Sequence, residues 1–306
     1  MSVAAPEAIT DTRRAAGTHA RRERRGRPWL AHLVLGLTAV AFLFPLVYAI
    51  YTSLRPYGET ARLGYASIGG KLNFDNYSNA WSQADLPHYY INTLLITVPA
   101  ILLVLALASM VAFAVSRYSW RFNIALLMIF TAANLLPQQV IITPLYRIFL
   151  EIPLPAWLSD SETLYDSYLG IILIHVAFQM GFCVFVLSNY MRTLPGELTE
   201  AAMVDGASVW VQFRKIIMPL CRAPLAALAT LEFTWIYNDF FWALVLMQSG
   251  EKRPITSALS GLQGQFFTNN NLIAAASLVA AIPTLVVYLV LQRQFIGGLT
   301  LGATKG

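Results

Sequence analysis

The stretch Trp29–Leu54 contains no Asp, Glu, Lys or Arg, and apolar runs of comparable length recur five more times along the 306 residues, four of them equally uncharged. At 1.5 Å per residue, about 20 apolar residues in a helix cross a hydrocarbon layer roughly 30 Å thick. A chain that repeats this pattern cannot fold as a soluble globule. Only 12% of its residues are charged, about half the usual fraction for a soluble domain. The fold class that follows is all-α: a polytopic membrane protein of six transmembrane helices.

The spans are expected at about 29–54, 90–116, 122–144, 168–190, 223–247 and 272–291. Pro45 is a candidate kink in the first. Ala106, Ala108, Ser109, Ala112 and Ala114 in the second are small enough for close helix contact. A signal peptide is the rival reading of the first run, because Ala39-Val40-Ala41 mimics a cleavage site. The run is, however, far longer than the about 7–15 residues of such a segment.

Charge placement orients the chain. The net charge is +5, but seven of the 21 basic residues lie between Arg13 and Arg27, directly before the first span. That is a topogenic cluster rather than a nucleic-acid site, with anionic lipid headgroups a secondary partner. With a cytoplasmic N-terminus, fifteen basic residues fall on the inner side and six on the outer side. Both termini, and the segment 191–218, are then cytoplasmic. The organisation expected is a basic, disordered N-terminus (1–28), a membrane domain (29–297) and a short cytoplasmic tail (298–306).

Residues 191–218 form a long polar connection where a few residues would do. Thr193 is a reasonable helix cap and Pro195 suits a first turn. Glu197 and Glu200 favour the positive end of the helix dipole. Ala201 and Ala202 make a small-residue face, and Gly206 ends or bends the helix. Phe213, Ile216 and Ile217 then mark a second apolar face before Pro219. Taken alone, this is either an amphipathic helix on the inner leaflet or a docking surface. The acidic residues Glu197, Glu200 and Asp205 disfavour anionic headgroups and so favour docking.

The spans should be nearly free of charge, because each central charge costs on the order of 2.5–3.5 kcal/mol. Glu232 and Asp239 are the exceptions. Asn238 and Asp239 either line a translocation path, where amide and carboxylate meet solute hydroxyls, or bond a neighbouring helix. Glu232 is paired, protonated or exposed to a water-filled vestibule. Gln138, Gln139 and Gln179 read as interhelical bonds and His175 as a structural histidine, with Gln138 and Glu232 also candidates for the substrate path beside Asn238 and Asp239. Cys183 and Cys221 are not spaced for a disulfide or a CxxC site, and the four histidines show no metal-binding spacing.

The segment from Glu200 resembles the EAA loop of ABC-importer permeases, patterned E-A-A-x3-G-x9-I-x-L-P. Glu200, Ala201, Ala202, Gly206, Ile216 and Pro219 fall in register, with Met218 in place of Leu. The remainder resembles the second permease of maltose-type carbohydrate importers. The shared landmarks are Phe74-Asp75-Asn76-Tyr77, Asn92-Thr93, Ala112 to Arg117, Pro137 to Val140, Pro144-Leu145-Tyr146 and Tyr237-Asn238-Asp239. The tail Gly298 to Gly306 resembles the family's G-x-x-x-G-A-x-K-G.

The resemblance implies a coupling helix that docks into an ATPase cleft, with Asp205 and Phe213 in the same surface. It also implies a tail, including Lys305 and Gly306, that reaches the ATPase dimer. The implied partners are a second permease, two copies of a cytoplasmic ATPase and an extracytoplasmic sugar-binding protein. The chain itself has no G-x-x-x-x-G-K-[ST] and no catalytic motif, so ATP and Mg are expected on the ATPase and no cofactor on this chain. The rival reading is an ion-coupled secondary transporter of small polar solutes. It calls for midplane carboxylates in repeated halves, whereas Glu232 and Asp239 share one span.

Overall fold

The structure, a computed structural model, describes residues 28–119, 121–135, 137–262 and 268–300; among these, apart from one isolated β-bridge, all regular structure is helical. The arginine-rich stretch 1–27 and the tail residues Lys305 and Gly306 lie outside the described residues.

In chain order the helices are α1 (Pro28–Leu54), α2 (Tyr57–Leu63), α3 (Asp75–Ser82), α4 (Leu86–Arg117), α5 (Asn123–Leu135), α6 (Ile142–Glu151) and α7 (Tyr168–Thr193). They continue as α8 (Glu197–Val204), α9 (Val209–Leu220), α10 (Arg222–Tyr237), α11 (Phe241–Leu246), α12 (Ile255–Gly261) and α13 (Asn270–Thr300). Among the described residues, four helices (α1, α4, α7 and α13) are long and apolar enough to cross a membrane. Two bent pairs, α5 with α6 at 90° and α9 with α10 at 76°, bring the candidate spans to six.

The chain divides into two compact units, residues 1–48 and 49–306. In the first, α1 is apolar around its circumference, with Phe42 and Leu35 among its exposed side chains. That is the pattern of a helix bathed in lipid. Pro45 sits within it without ending it.

The second unit is built around α4 packed along α7. Ala100, Val104, Ala108 and Ala112 recur every four residues on α4, and all are fully buried. They share one core with Cys183, Val184, Leu187 and Met191 of α7, also fully buried. Small side chains let the backbones approach, and van der Waals contact then holds the pair where lipid provides no hydrophobic drive. Ala106 and Ala114, expected in this seam, instead face outward. The periodicity of four selects 100 and 104 in their place.

Two expected spans are not continuous helices. The third stops at Leu135, passes extended Pro137 and a 3-10 turn at Gln138–Ile141, and resumes as α6. Pro137 has no N–H to continue the ladder. The fifth stops at Tyr237 rather than Met247. There Asn238 turns its Nδ2 back to the Thr234 carbonyl at 2.7 Å, and the Asp239 carboxylate accepts the Trp242 and Ala243 amides at 3.3 and 3.2 Å. Short polar side chains that bond the local backbone compete with the helix and restart it as α11.

At the end of the unit opposite α8, the landmark residues are structural staples. Asn76 donates to the Ser53 and Arg55 carbonyls, and Asn271 donates to those of Thr52 and Arg55. Asn92 donates to the Glu251 and Arg253 carbonyls, while the Ile255 amide donates to Thr93 Oγ1 at 2.8 Å. Asp166 Oδ1 accepts the amides of Gln248 and Ser249, and Lys252 pairs with Asp160 at 2.6 Å. The segment 248–255, a polar loop by its sequence, is therefore clamped from two sides.

Candidate functional site: a rigid loop and a polar cavity

The connection after α7 is fixed at both ends. Arg117, at the end of α4, donates from Nη1 to the carbonyls of Leu194 and Pro195 at 3.2 and 3.4 Å. Leu194 is extended, as a residue before proline prefers. α8 then runs Glu197–Val204 with Gly196 at its N-cap and no side-chain cap. Thr193 is the last residue of α7 and donates to the Tyr190 carbonyl at 2.7 Å, so it does not cap α8 as expected.

α8 ends where the sequence indicates. Gly206 has φ +76°, its amide reaches the Met203 carbonyl at 3.0 Å, and the Ala207 amide reaches that of Ala202 at 2.9 Å. This pair of bonds is the Schellman motif, and an L side chain is strained at its glycine position. Ser208 Oγ then accepts the Val211 amide, and buried Gln212 donates to the Ala207 carbonyl at 3.0 Å. α9 contains a π-helical segment, Gln212–Ile217.

The faces sort differently from the sequence reading. Ala202 is buried against its own chain, as are Phe213 and Ile217, with Ile216 half-buried. Phe213 packs between Phe113 of α4 and Trp210, each 5.4 Å away between ring centres and tilted by 57° and 37°. These residues hold the loop on the bundle. What faces outward is Glu197, Glu200, Ala201, Asp205, Gly206 and Pro219 together with an apolar set: Met203, Val204, Val209 and Trp210. Val204 is 88% exposed. The apolar set was missed by the motif reading, although bulky side chains beside Gly206 in an otherwise polar loop are its signal.

The second feature is an open cavity of about 530 Å³ among α5, α7, α10 and α11. Asn238, Asp239 and Gln138 line it as the substrate-path reading requires, joined by Asn134, Gln179 and His175. Six aromatic rings complete the wall, including Phe182 and Trp235, whose centres stand 5.2 Å apart edge to face. His175 Nε2 is buried without a hydrogen-bond partner, 3.7 Å from Asp239 Oδ2. Asn238 Nδ2 also reaches Thr284 Oγ1 of α13 at 3.3 Å, a bond to a neighbouring helix, while Asn238 and Asp239 both line the cavity.

Glu232 does not belong to this set. It is fully buried, accepts the Cys183 thiol at 3.1 Å through Oε1, and leaves Oε2 without a partner. Of the alternatives left open for it, the structure selects pairing inside the bundle. Gln179, read from sequence as an interhelical bond, and His175, read as a structural histidine, move the other way and join the cavity.

Over 270 residues the chain is 31% identical to a probable ABC transporter permease protein of Pyrococcus horikoshii, covering 88% of this chain and 94% of that one. It is likewise 31% identical to the melibiose/raffinose/stachyose import permease MelC of Bacillus subtilis, covering 90% and 95%. In fold it matches a crystal structure of a bacterial ABC transporter that imports the acidic polysaccharide alginate. The TM-score is 0.72 at 20% identity, over 88% of this chain and 96% of that one. Residues 104–296 match the family described as the inner membrane component of binding-protein-dependent transport systems, and the chain belongs to that family.

Proposed function

We propose that this chain forms half of the pore of an ATP-driven sugar importer, with its termini in the cytoplasm and a second permease as the other half. The observation that carries the reading is the outward face around α8. A loop anchored by Arg117, closed by the Schellman motif at Gly206 and backed by Phe213 presents acids beside bare apolar side chains. Exposed Val204 and Trp210 on a rigid polar loop suit insertion into a groove of a cytoplasmic ATPase, with Glu200 meeting a basic residue there. Rigid-body motion of the ATPase pair then passes into α7 and α9.

A sugar fits the cavity chemistry. Aromatic rings receive the C–H faces of a pyranose, and amides, the Asp239 carboxylate and the unpartnered His175 Nε2 exchange hydrogen bonds with its hydroxyls. The naming of MelC as a melibiose, raffinose and stachyose permease, and of a relative in Streptomyces coelicolor as a diacetylchitobiose permease, supports the same solute class. An extracytoplasmic binding protein delivers the sugar at the clamped end near 248–255.

The test is affinity purification of the tagged chain from membranes. An ATPase subunit co-purifies with the natural sequence. Glu200→Lys and Val204→Asp keep membrane insertion and lose the ATPase. Normal ATPase recovery and normal uptake in both variants overturn the docking role.

A further inference from the structure

The polar cavity is not the end of the groove that contains it. Two further hollows, of about 220 and 510 Å³, continue along the seam between α5 and α7 toward α8. The upper cavity and the 220 Å³ hollow share Asn134 and Phe182, and the 220 and 510 Å³ hollows share Thr131 and Phe185. The last one ends at Asn189 and Arg192, one turn before α7 gives way to the loop.

The wall residues fall in register. On α7 one row runs through His175, Gln179, Phe182, Phe185, Asn189 and Arg192, each three or four positions after the last, with Phe178 and Gly181 beside it. On α5 a row runs through Ile124, Met128, Thr131 and Asn134, flanked by Leu127 and Ala132, with Gln138 beyond the break. Such spacing is one helix face. From His175 to Arg192 the α7 face extends about 26 Å at 1.5 Å per residue, close to the thickness of the hydrocarbon layer. The floor is tight: a Cβ on Gly181 would lie 2.5 Å from the Phe130 carbonyl oxygen, so the two backbones touch there.

We infer that this stripe pair is one continuous solute track, with Phe182 and Phe185 as an apolar constriction between the polar cavity and an exit mouth at Asn189 and Arg192. The inference rests on the transport reading above. Polar groups at several depths on one face argue for water and solute rather than lipid tails, since polar residues in a span face the bundle interior or an aqueous cavity. α1, by contrast, shows lipid no such stripe. The two phenylalanines offer no hydrogen bond to an ion, and an apolar constriction gates by dewetting. A sugar crosses it on its C–H faces. Because α7 carries cavity, constriction and exit mouth and then leads into α8, movement of the loop moves the mouth directly.

The test uses the assembled transporter in proteoliposomes, with a membrane-impermeant sulfonate thiol reagent as probe. The natural chain is the blank, since Cys183 and Cys221 are buried. Thr131→Cys, Phe185→Cys and Asn189→Cys are expected to label, with the extent of labelling changed by ATP. Leu173→Cys, exposed on another face of α7, stays unlabelled. Phe185→Ala is expected to leak sodium, and Phe185→Leu to restore the seal. Unlabelled groove cysteines beside a labelled Gln179→Cys overturn the track while transport stands, and so does labelling that appears only after lipid is stripped away. Absence of an ATPase from the purified assembly is the separate failure, that of the transport reading.

Discussion

Arg117 donates its guanidinium to the Leu194 carbonyl at 3.2 Å, across 77 positions of sequence. The bond ties the end of α4 to the first residue of the loop after α7. Arg117→Ala removes it and, at about 1 kcal/mol for a half-exposed charged donor, leaves the fold intact. Amide hydrogen exchange is expected to quicken across 195–206 and to remain unchanged in the buried part of α4.

Gly206→Ala addresses the loop's geometry alone. No atom lies within 4 Å of the added Cβ, so the cost is the positive φ itself. That cost is about 1–2 kcal/mol. Membrane insertion is expected to persist while ATPase stimulation by the assembled transporter drops. Gly206→Asn, which tolerates the left-handed region, recovers part of it.

Asp239 serves the backbone and the cavity through one carboxylate. Asp239→Asn retains an acceptor for the Trp242 amide and should express at normal levels, whereas Asp239→Ala loosens the start of α11. For Asp239→Asn, uptake kinetics are expected to show a raised KM. An unchanged KM returns Asp239 to a purely structural role.

Cys183 and Glu232 form a buried pair away from the cavity. Cys183→Ala leaves Oε1 unpartnered at a cost of about 1–3 kcal/mol, lowering the melting temperature in detergent. Cys183→Ser, which keeps a donor, lowers it less. Glu232→Gln is expected to leave the KM for sugar unchanged, which separates it from Asp239.

The membrane class, the places of the apolar runs and the place of the loop in the chain were legible because they depend on composition along the chain. Uncharged runs long enough for the bilayer and a spaced motif are local records. The glycine that ends α8 was legible for the same reason, since its conformation is a property of one residue. Which residues of the loop turn outward was not: Ala201 and Ala202 are indistinguishable in sequence, and only packing against the Gln212–Ile217 part of α9 buries one and exposes the other.

The cavity shows the same division. Sequence alone determined that Glu232 and Asp239 were costly residues in one apolar run. It could not separate them, because hydropathy counts charge without direction. The tertiary structure decided it. The helix break at Asn238 swings Asp239 into the wall beside His175, while Glu232, seven positions earlier on the unbroken helix, meets the Cys183 thiol in the core.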